Sequence, residues 1–198
     1  MEDIRDKHDG HLTTGIFGTK FMLDTLSKEG HTETAYGIVN QPGMPGWGWM
    51  LENGATTLWE HWAGSDNTFS KNHPMFGSVS QWFFNWLGGI RPASDAVGFD
   101  KILIAPQPVG DLRWAKAQYR SVRGLVTSEW KKDGGNFGLH VTIPVGASAM
   151  VFVPAKDAAS VTEGGKPVNQ ADAVEFLRME RGAAVFAVGS GTYDFVSR

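Results

Sequence analysis

The hydrophobic period of this chain changes once, and that change limits what the chain can fold into. Up to about residue 90, apolar residues recur at spacings of three and four. After the run GGIRPASDAVGFD they alternate in short segments. A spacing near 3.6 argues helices and a spacing of two argues half-buried strands. The chain therefore reads as an α+β protein in two parts, with residues 1–92 helical and residues 93–198 a β domain.

In the first part, Phe17, Phe21, Met22, Leu23 and Leu26 predict a helix that ends at SKEGH, with Gly30 as its C-terminal cap. A second helix is predicted from Thr32 to about Val39, where NQPGMPG breaks it. A third begins at NHPMFG. Pro74 suits its first position, and Phe76, Val79, Phe83, Phe84 and Leu87 supply an apolar face until Gly88-Gly89. Trp82 and Trp86, four apart, are the expected core members of that helix. Trp82, Phe83, Phe84, Trp86 and Leu87 stand almost in a row, and a helix apolar all round requires neighbours on both sides. The first part thus reads as the tail of a larger helical domain. A face bearing Trp82, Phe83 and Trp86 is expected to associate with a missing portion or with a second copy.

In the second part, KILIAP, RWAKAQYRSV, GLVTSEW, NFGLHVTIP, SAMVFVPA and AAVFAVGSGTYDFV are short runs separated by Gly, Pro and Asp-Gly signals. Lys132 to Asn136 predicts a hairpin turn. Many short strands at regular spacing predict an antiparallel β-sandwich.

Composition excludes several functions. The 198 residues include no cysteine, so thiol catalysis and cysteine-ligated metals are ruled out. A net charge of −3 without a basic run argues against nucleic acid and anionic membrane as partners. The first residues lack the apolar core of a signal peptide, and no apolar run is long enough for a membrane span. The chain reads as soluble, with its compartment undetermined. The histidines lack ligand spacing, no phosphate-binding loop or Gly-x-Ser-x-Gly occurs, and no cofactor is called for.

The chemistry concentrates in PGWGWMLENGATTLWEHW, residues 45–62, where four of the eight tryptophans surround Glu60 and His61. Flanking aromatics favour a proton-transferring carboxyl. A surface carboxylate beside an aromatic core is the competing reading, and Glu52 reads as a turn residue with Asn53. His73, before the third helix, is either a helix-end histidine or a ligand contact. Aromatic faces stack on sugar rings while carboxylates and imidazoles bind hydroxyls, which makes a glycoside site the leading candidate.

The ordered motifs HLTTGIFGT (11–19), PGWGWM (45–50), GATTLWEHW (54–62) and NHPMFG (72–77) resemble the end of the catalytic domain of bacterial α-L-rhamnosidases. FDKILIAPQP and VRGLVTSEW likewise resemble that family's C-terminal domain. The resemblance implies the last helices of an (α/α)6 barrel followed by an antiparallel β-sandwich. It also implies inverting hydrolysis of terminal α-L-rhamnose from a glycoside or polysaccharide. By resemblance Glu60 is the catalytic base, His73 contacts the rhamnose, and Trp47 and Trp59 line or support the sugar pocket. An inverting reaction also needs a general acid, with the two carboxyls about 6.5–9.5 Å apart to admit water. The resemblance places that acid in an upstream carboxylate-rich motif that these residues do not contain. The isolated chain is therefore expected to turn over little or no substrate. The segment from Trp62 to His73 is also shorter than the family pattern. The alternative is a non-catalytic carbohydrate-binding or association module derived from such an enzyme.

Overall fold

A computed structural model describes Ile4, residues 7–64 and residues 70–198. Part of the short Trp62–His73 segment, residues 65–69, thus lies outside the described residues. The chain divides into two compact units, Met1–Trp82 and Phe83–Arg198.

The first unit is helical. α1 (Ile16–Lys28) ends in a Schellman motif, with Gly30 left-handed at φ 86°. The His31 N–H donates to Leu26 O at 2.7 Å and the Gly30 N–H to Ser27 O at 3.1 Å. α2 (Thr32–Val39) has the predicted bounds and buries Thr32, Ala35 and Ile38. α3 (Trp47–Glu52) was not predicted, because its six residues are too few to show a period. Pro74 stands just before a 3₁₀ turn (Met75–Gly77), which leads into α4 (Ser78–Trp82).

The buried face of α1 differs from the predicted one. Thr19, Leu23 and Ser27, spaced by four, turn inward, whereas Phe17 and Phe21 are 74% and 66% exposed. The buried hydroxyls find partners. Thr19 Oγ1 lies 2.8 Å from Gly15 O, and Ser27 Oγ accepts the Trp82 indole N–H at 2.8 Å. A satisfied hydroxyl costs little inside a protein, and a small side chain there admits the broad ring of Trp82.

The second unit opens with a π-helical turn (Phe83–Leu87). Trp82 and Trp86 are core members, as expected from their spacing, at 2% and 7% exposure. Their burial corrects the association face, because neither is available to a partner; Phe83 and Phe84 remain about half exposed. One cause is the Ser27 bond to Trp82, and the other is the Arg91 guanidinium, 4.0 Å above the Trp86 ring.

Eleven strands follow: β1 (Ile90–Pro92), β2 (Lys101–Ile104), β3 (Trp114–Ser121), β4 (Gly124–Asp133), β5 (Asn136–Ile143), β6 (Ser148–Pro154), β7 (Val161–Glu163), β8 (Lys166–Pro167), β9 (Val174–Glu180), β10 (Ala183–Val188) and β11 (Gly191–Ser197). They form a five-stranded sheet, β1-β2-β6-β10-β9, and a six-stranded sheet, β3-β4-β5-β11-β7-β8. Their inner faces share one core, in which Ile104, Val151, Val153 and Phe186 of the first sheet meet Val126, Trp130, Leu139 and Phe195 of the second. This is the predicted sandwich. One pair departs from it, since β2 runs parallel to β6 while every other pairing is antiparallel. The predicted hairpin pairs Asp133 with Asn136 across Gly134 and Gly135, both at positive φ as a two-residue I′ turn requires. No helix among the described residues is long and apolar enough to cross a membrane.

Candidate functional site

Glu60 lies in the irregular segment that follows α3. Two main-chain bonds tie this segment to the residues before the 3₁₀ turn. The Glu60 N–H donates to Ser70 O at 2.9 Å, and the His73 N–H to Leu58 O at 2.8 Å. The Thr57 hydroxyl adds a third tie, to Lys71 O. The W-E-x-W and N-H motifs, thirteen residues apart between Glu60 and His73, are thereby held side by side.

The Glu60 carboxylate is half-buried, and its Oε2 accepts the Ser70 N–H at 2.9 Å. One oxygen is therefore fixed while Oε1 has no protein partner among the described residues. A main-chain donor to one oxygen orients a carboxylate without neutralising it, which suits a group that must take a proton from water.

Glu60 opens onto a cleft of about 520 Å³, a size usual for small-molecule sites. Thr13, Thr14, Ile16 and Phe17 form one wall, and Trp62 and Phe76 the base. Among the described residues, Glu60 is the one acidic residue lining it. The base is an aromatic stack, with Trp62 on Phe76 at 3.6 Å between centroids and 27° between planes. Trp47 meets both edge-on, at 5.2 Å and 84° to Trp62 and at 6.4 Å and 79° to Phe76. Each such pair contributes about 0.5–1.5 kcal/mol beyond its buried area. Both indole N–H groups are engaged: Trp62 donates to Thr14 O at 2.8 Å and Trp47 to Phe76 O at 3.1 Å. The first of these bonds pins the wall to the base, across 48 residues of sequence.

The four residues singled out from sequence fall in different places. Glu60 lines the cleft. Trp47 does not; it is buried behind Trp62 and Phe76. Trp59 is 8% exposed and lies under the Lys71 ammonium, 5.9 Å from its ring, outside the cleft lining. His73 is half-buried on the irregular segment bonded to that of Glu60, also outside the lining. Its Nδ1 accepts the Met75 N–H at 3.3 Å, which assigns the proton to Nε2. Sequence reasoning did not single out the wall at Thr13–Phe17 or the base residue Trp62. The signal was present, since HLTTGIFGT and the second tryptophan of W-E-x-W belong to the quoted motifs.

Comparison with known proteins identifies the family of the chain. Residues 1–87 match the model of the bacterial alpha-L-rhamnosidase 6 hairpin glycosidase domain, and residues 89–167 that of the bacterial alpha-L-rhamnosidase C-terminal domain. An α-L-rhamnosidase of Streptomyces avermitilis is 36% identical over 197 aligned residues, covering 94% of this chain and 18% of the relative. The solved structure of alpha-L-rhamnosidase from Dictyoglumus thermophilum superposes with a TM-score of 0.89 at 39% identity, over 100% of this chain and 22% of that one. That of the Streptomyces avermitilis enzyme, complexed with L-rhamnose, superposes with a TM-score of 0.88 at 33% identity, over 98% and 19%. The chain spans about a fifth of the length of the curated relatives it matches. With its helical and β parts matched in order by two models of one family, this chain belongs to the bacterial α-L-rhamnosidase family.

Proposed function

We propose that this chain is the closing part of a glycoside hydrolase that releases terminal α-L-rhamnose with inversion. Residues 1–92 are the last portion of its helical catalytic barrel and residues 93–198 its β-sandwich domain. Glu60 takes a proton from a water molecule on the ring face opposite the leaving group, as that water attacks the anomeric carbon. The proton donor to the glycosidic oxygen comes from residues outside these 198. The substrate is a rhamnose-containing glycoside or polysaccharide.

One observation carries this reading. Among the described residues, the single carboxylate lining an aromatic-based cleft has one oxygen fixed by a main-chain N–H and the other without a protein partner. Such a group is oriented and ready to accept a proton. His73, with Nε2–H directed by the Met75 bond, contacts a rhamnose hydroxyl. Trp47 stiffens the base of the cleft from behind, and Trp59 supports the Glu60 segment beside Lys71.

Titration of L-rhamnose into the purified chain, followed calorimetrically, tests the sugar site. Binding is expected in the wild type and at least about tenfold weaker in His73→Ala, the usual loss when one hydroxyl contact worth roughly 1.4 kcal/mol is removed. Equal affinity in the two proteins would remove His73 from the site.

The exposed pair Phe17 and Phe21 supports a second reading, a module that associates through α1. That reading expects a concentration-dependent dimer in sedimentation. A monomer throughout, or a dimer unaffected by Phe21→Ser, would rule out association through this face.

A further inference from the structure

The β-sandwich has a concavity of its own, a groove of about 920 Å³ at one end of its two sheets. Four cationic residues line it: Arg113 ahead of β3, Lys132 at the β4–β5 hairpin, Lys156 after β6, and Arg198 after β11. They come from four separate chain segments, so the sequence shows no basic run and only the fold brings them together. The chain as a whole carries a net charge of −3, which makes the local excess stand out.

The protein does little to neutralise these charges. Among the described residues, Asp133 is the only acidic side chain in the lining, and Lys131 already holds it at 3.3 Å. Even with an α-carboxylate on Arg198, the groove counts four cations against two anions. Lys132 Nζ donates to Pro108 O at 3.2 Å, which anchors the ammonium and leaves two of its N–H donors unused. The side chains of Arg113, Lys156 and Arg198 form no ion pair among the described residues. Like charges gathered without counter-charges attract anions, and a groove strengthens that field.

Size and shape narrow the ligand. A lone sulfate or phosphate engages two or three donors, whereas this groove lies near the top of the range of small-ligand clefts, about 300–1,000 Å³. Its four charges come from four chain segments, which suits a ligand carrying several anionic groups. The hairpin residues Gly134 and Gly135 leave open space where side chains would stand. The one aromatic residue in its lining, Phe137, is buried at 6% exposure, so the groove lacks the exposed stacking platforms with which proteins hold single-stranded nucleic acid.

We propose that this groove binds an acidic oligosaccharide, its uronate carboxylates paired with Arg113, Lys132, Lys156 and Arg198. The choice of a saccharide as the carrier of the charges rests on the glycosidase reading above. Such a site would hold the charged stretches of a polymer whose rhamnose is being removed.

The test is calorimetric titration of the full chain with α-1,4-linked tetragalacturonate, beside neutral maltotetraose, sodium sulfate and an oligothymidylate of equal charge. Tetragalacturonate is expected to bind, to weaken as salt is added, and to lose about tenfold or more in affinity in Arg113→Ser/Lys156→Ser. Both side chains are exposed, so the double variant keeps its fold. Arg113→Lys/Lys156→Arg, which keeps the charges, should retain binding within a few-fold. Absence of tetragalacturonate binding, equal binding of maltotetraose, sulfate or oligothymidylate, or unchanged affinity in the double serine variant would each overturn the proposal. L-Rhamnose titrated into the same preparations separates the two readings. Rhamnose binding without tetragalacturonate binding defeats the groove alone, and the converse defeats the Glu60 cleft alone.

Discussion

Glu60→Gln lowers turnover of an aryl α-L-rhamnoside by about 10²–10⁴-fold, the contribution usual for a positioned general base, while leaving KM within a few-fold. The protein for this measurement is the Streptomyces avermitilis relative with its matching segment replaced by these 198 residues, so that an upstream proton donor is present. Glutamine keeps the size of the side chain and an oxygen for the Ser70 N–H, which holds Glu60 Oε2 at 2.9 Å. What it removes is the ability to take a proton, and that deficit appears in kcat. A proportionate rise in KM with kcat preserved would instead make Glu60 a binding residue. Glu52, exposed at the end of α3, serves as the control, because Glu52→Gln should leave both constants unchanged.

The largest stability effect is expected at Gly89, where the last helical turn enters the sandwich. Its φ is 76°, and an added Cβ would lie 2.2 Å from Pro106 N and 2.4 Å from the Ala105 carbonyl carbon. Both are main-chain atoms, so no rotamer change relieves the clash. The neighbouring main chain is also committed, with Leu87 O accepting the Trp130 indole N–H at 2.7 Å and Gly89 O the Ala105 N–H at 2.9 Å. Gly89→Ala therefore combines a left-handed alanine with overpacking, and each costs about 1–3 kcal/mol. Gly134→Ala has the first cost without the second, since φ is 56° but nothing lies within 4 Å of the added carbon. Denaturant unfolding should show Gly89→Ala less stable than Gly134→Ala by at least about 1 kcal/mol. Equal midpoints would mean that this entry is not tightly packed.

Elements with a full period and a clean stop were legible in the sequence. α2 has its predicted bounds, and Gly30 and Gly134-Gly135 mark their turns, because a positive φ is written directly into a glycine. The choice of buried face on α1 was not legible. Phe17 and Phe21 outrank Thr19 and Ser27 in hydrophobicity, yet a hydroxyl bonded to Gly15 O or to Trp82 is comfortable inside. Hydropathy cannot see that satisfaction. The parallel β2–β6 pair was hidden as well, because a period of two assigns faces and leaves the choice of neighbour open. β9 escaped notice as an edge strand of exposed residues with a register shift against β10, which leaves little alternation to read.

In the candidate site, the motif order singled out Glu60, whereas the cleft that Glu60 lines is closed by a contact of long sequence separation. The Trp62 indole N–H reaches Thr14 O across 48 residues, while Ser70, only ten residues from Glu60, is joined to it by two bonds, one from the Glu60 N–H and one to its carboxylate. Trp47 illustrates the opposite limit. The motif match has it lining or supporting the pocket, and the structure buries it behind Trp62 and Phe76, outside the cleft lining.

The central claim is that Glu60 acts on the attacking water. Removing the carboxylate leaves a cavity on that side of the ring, which a small anion that needs no deprotonation can fill. The deciding measurement is therefore azide rescue of Glu60→Ala in the joined protein, with the product identified by NMR. Azide is expected to restore release of the aryl group and to yield β-L-rhamnosyl azide, inverted at the anomeric carbon. No acceleration by azide, or a product that retains the α configuration, would contradict it.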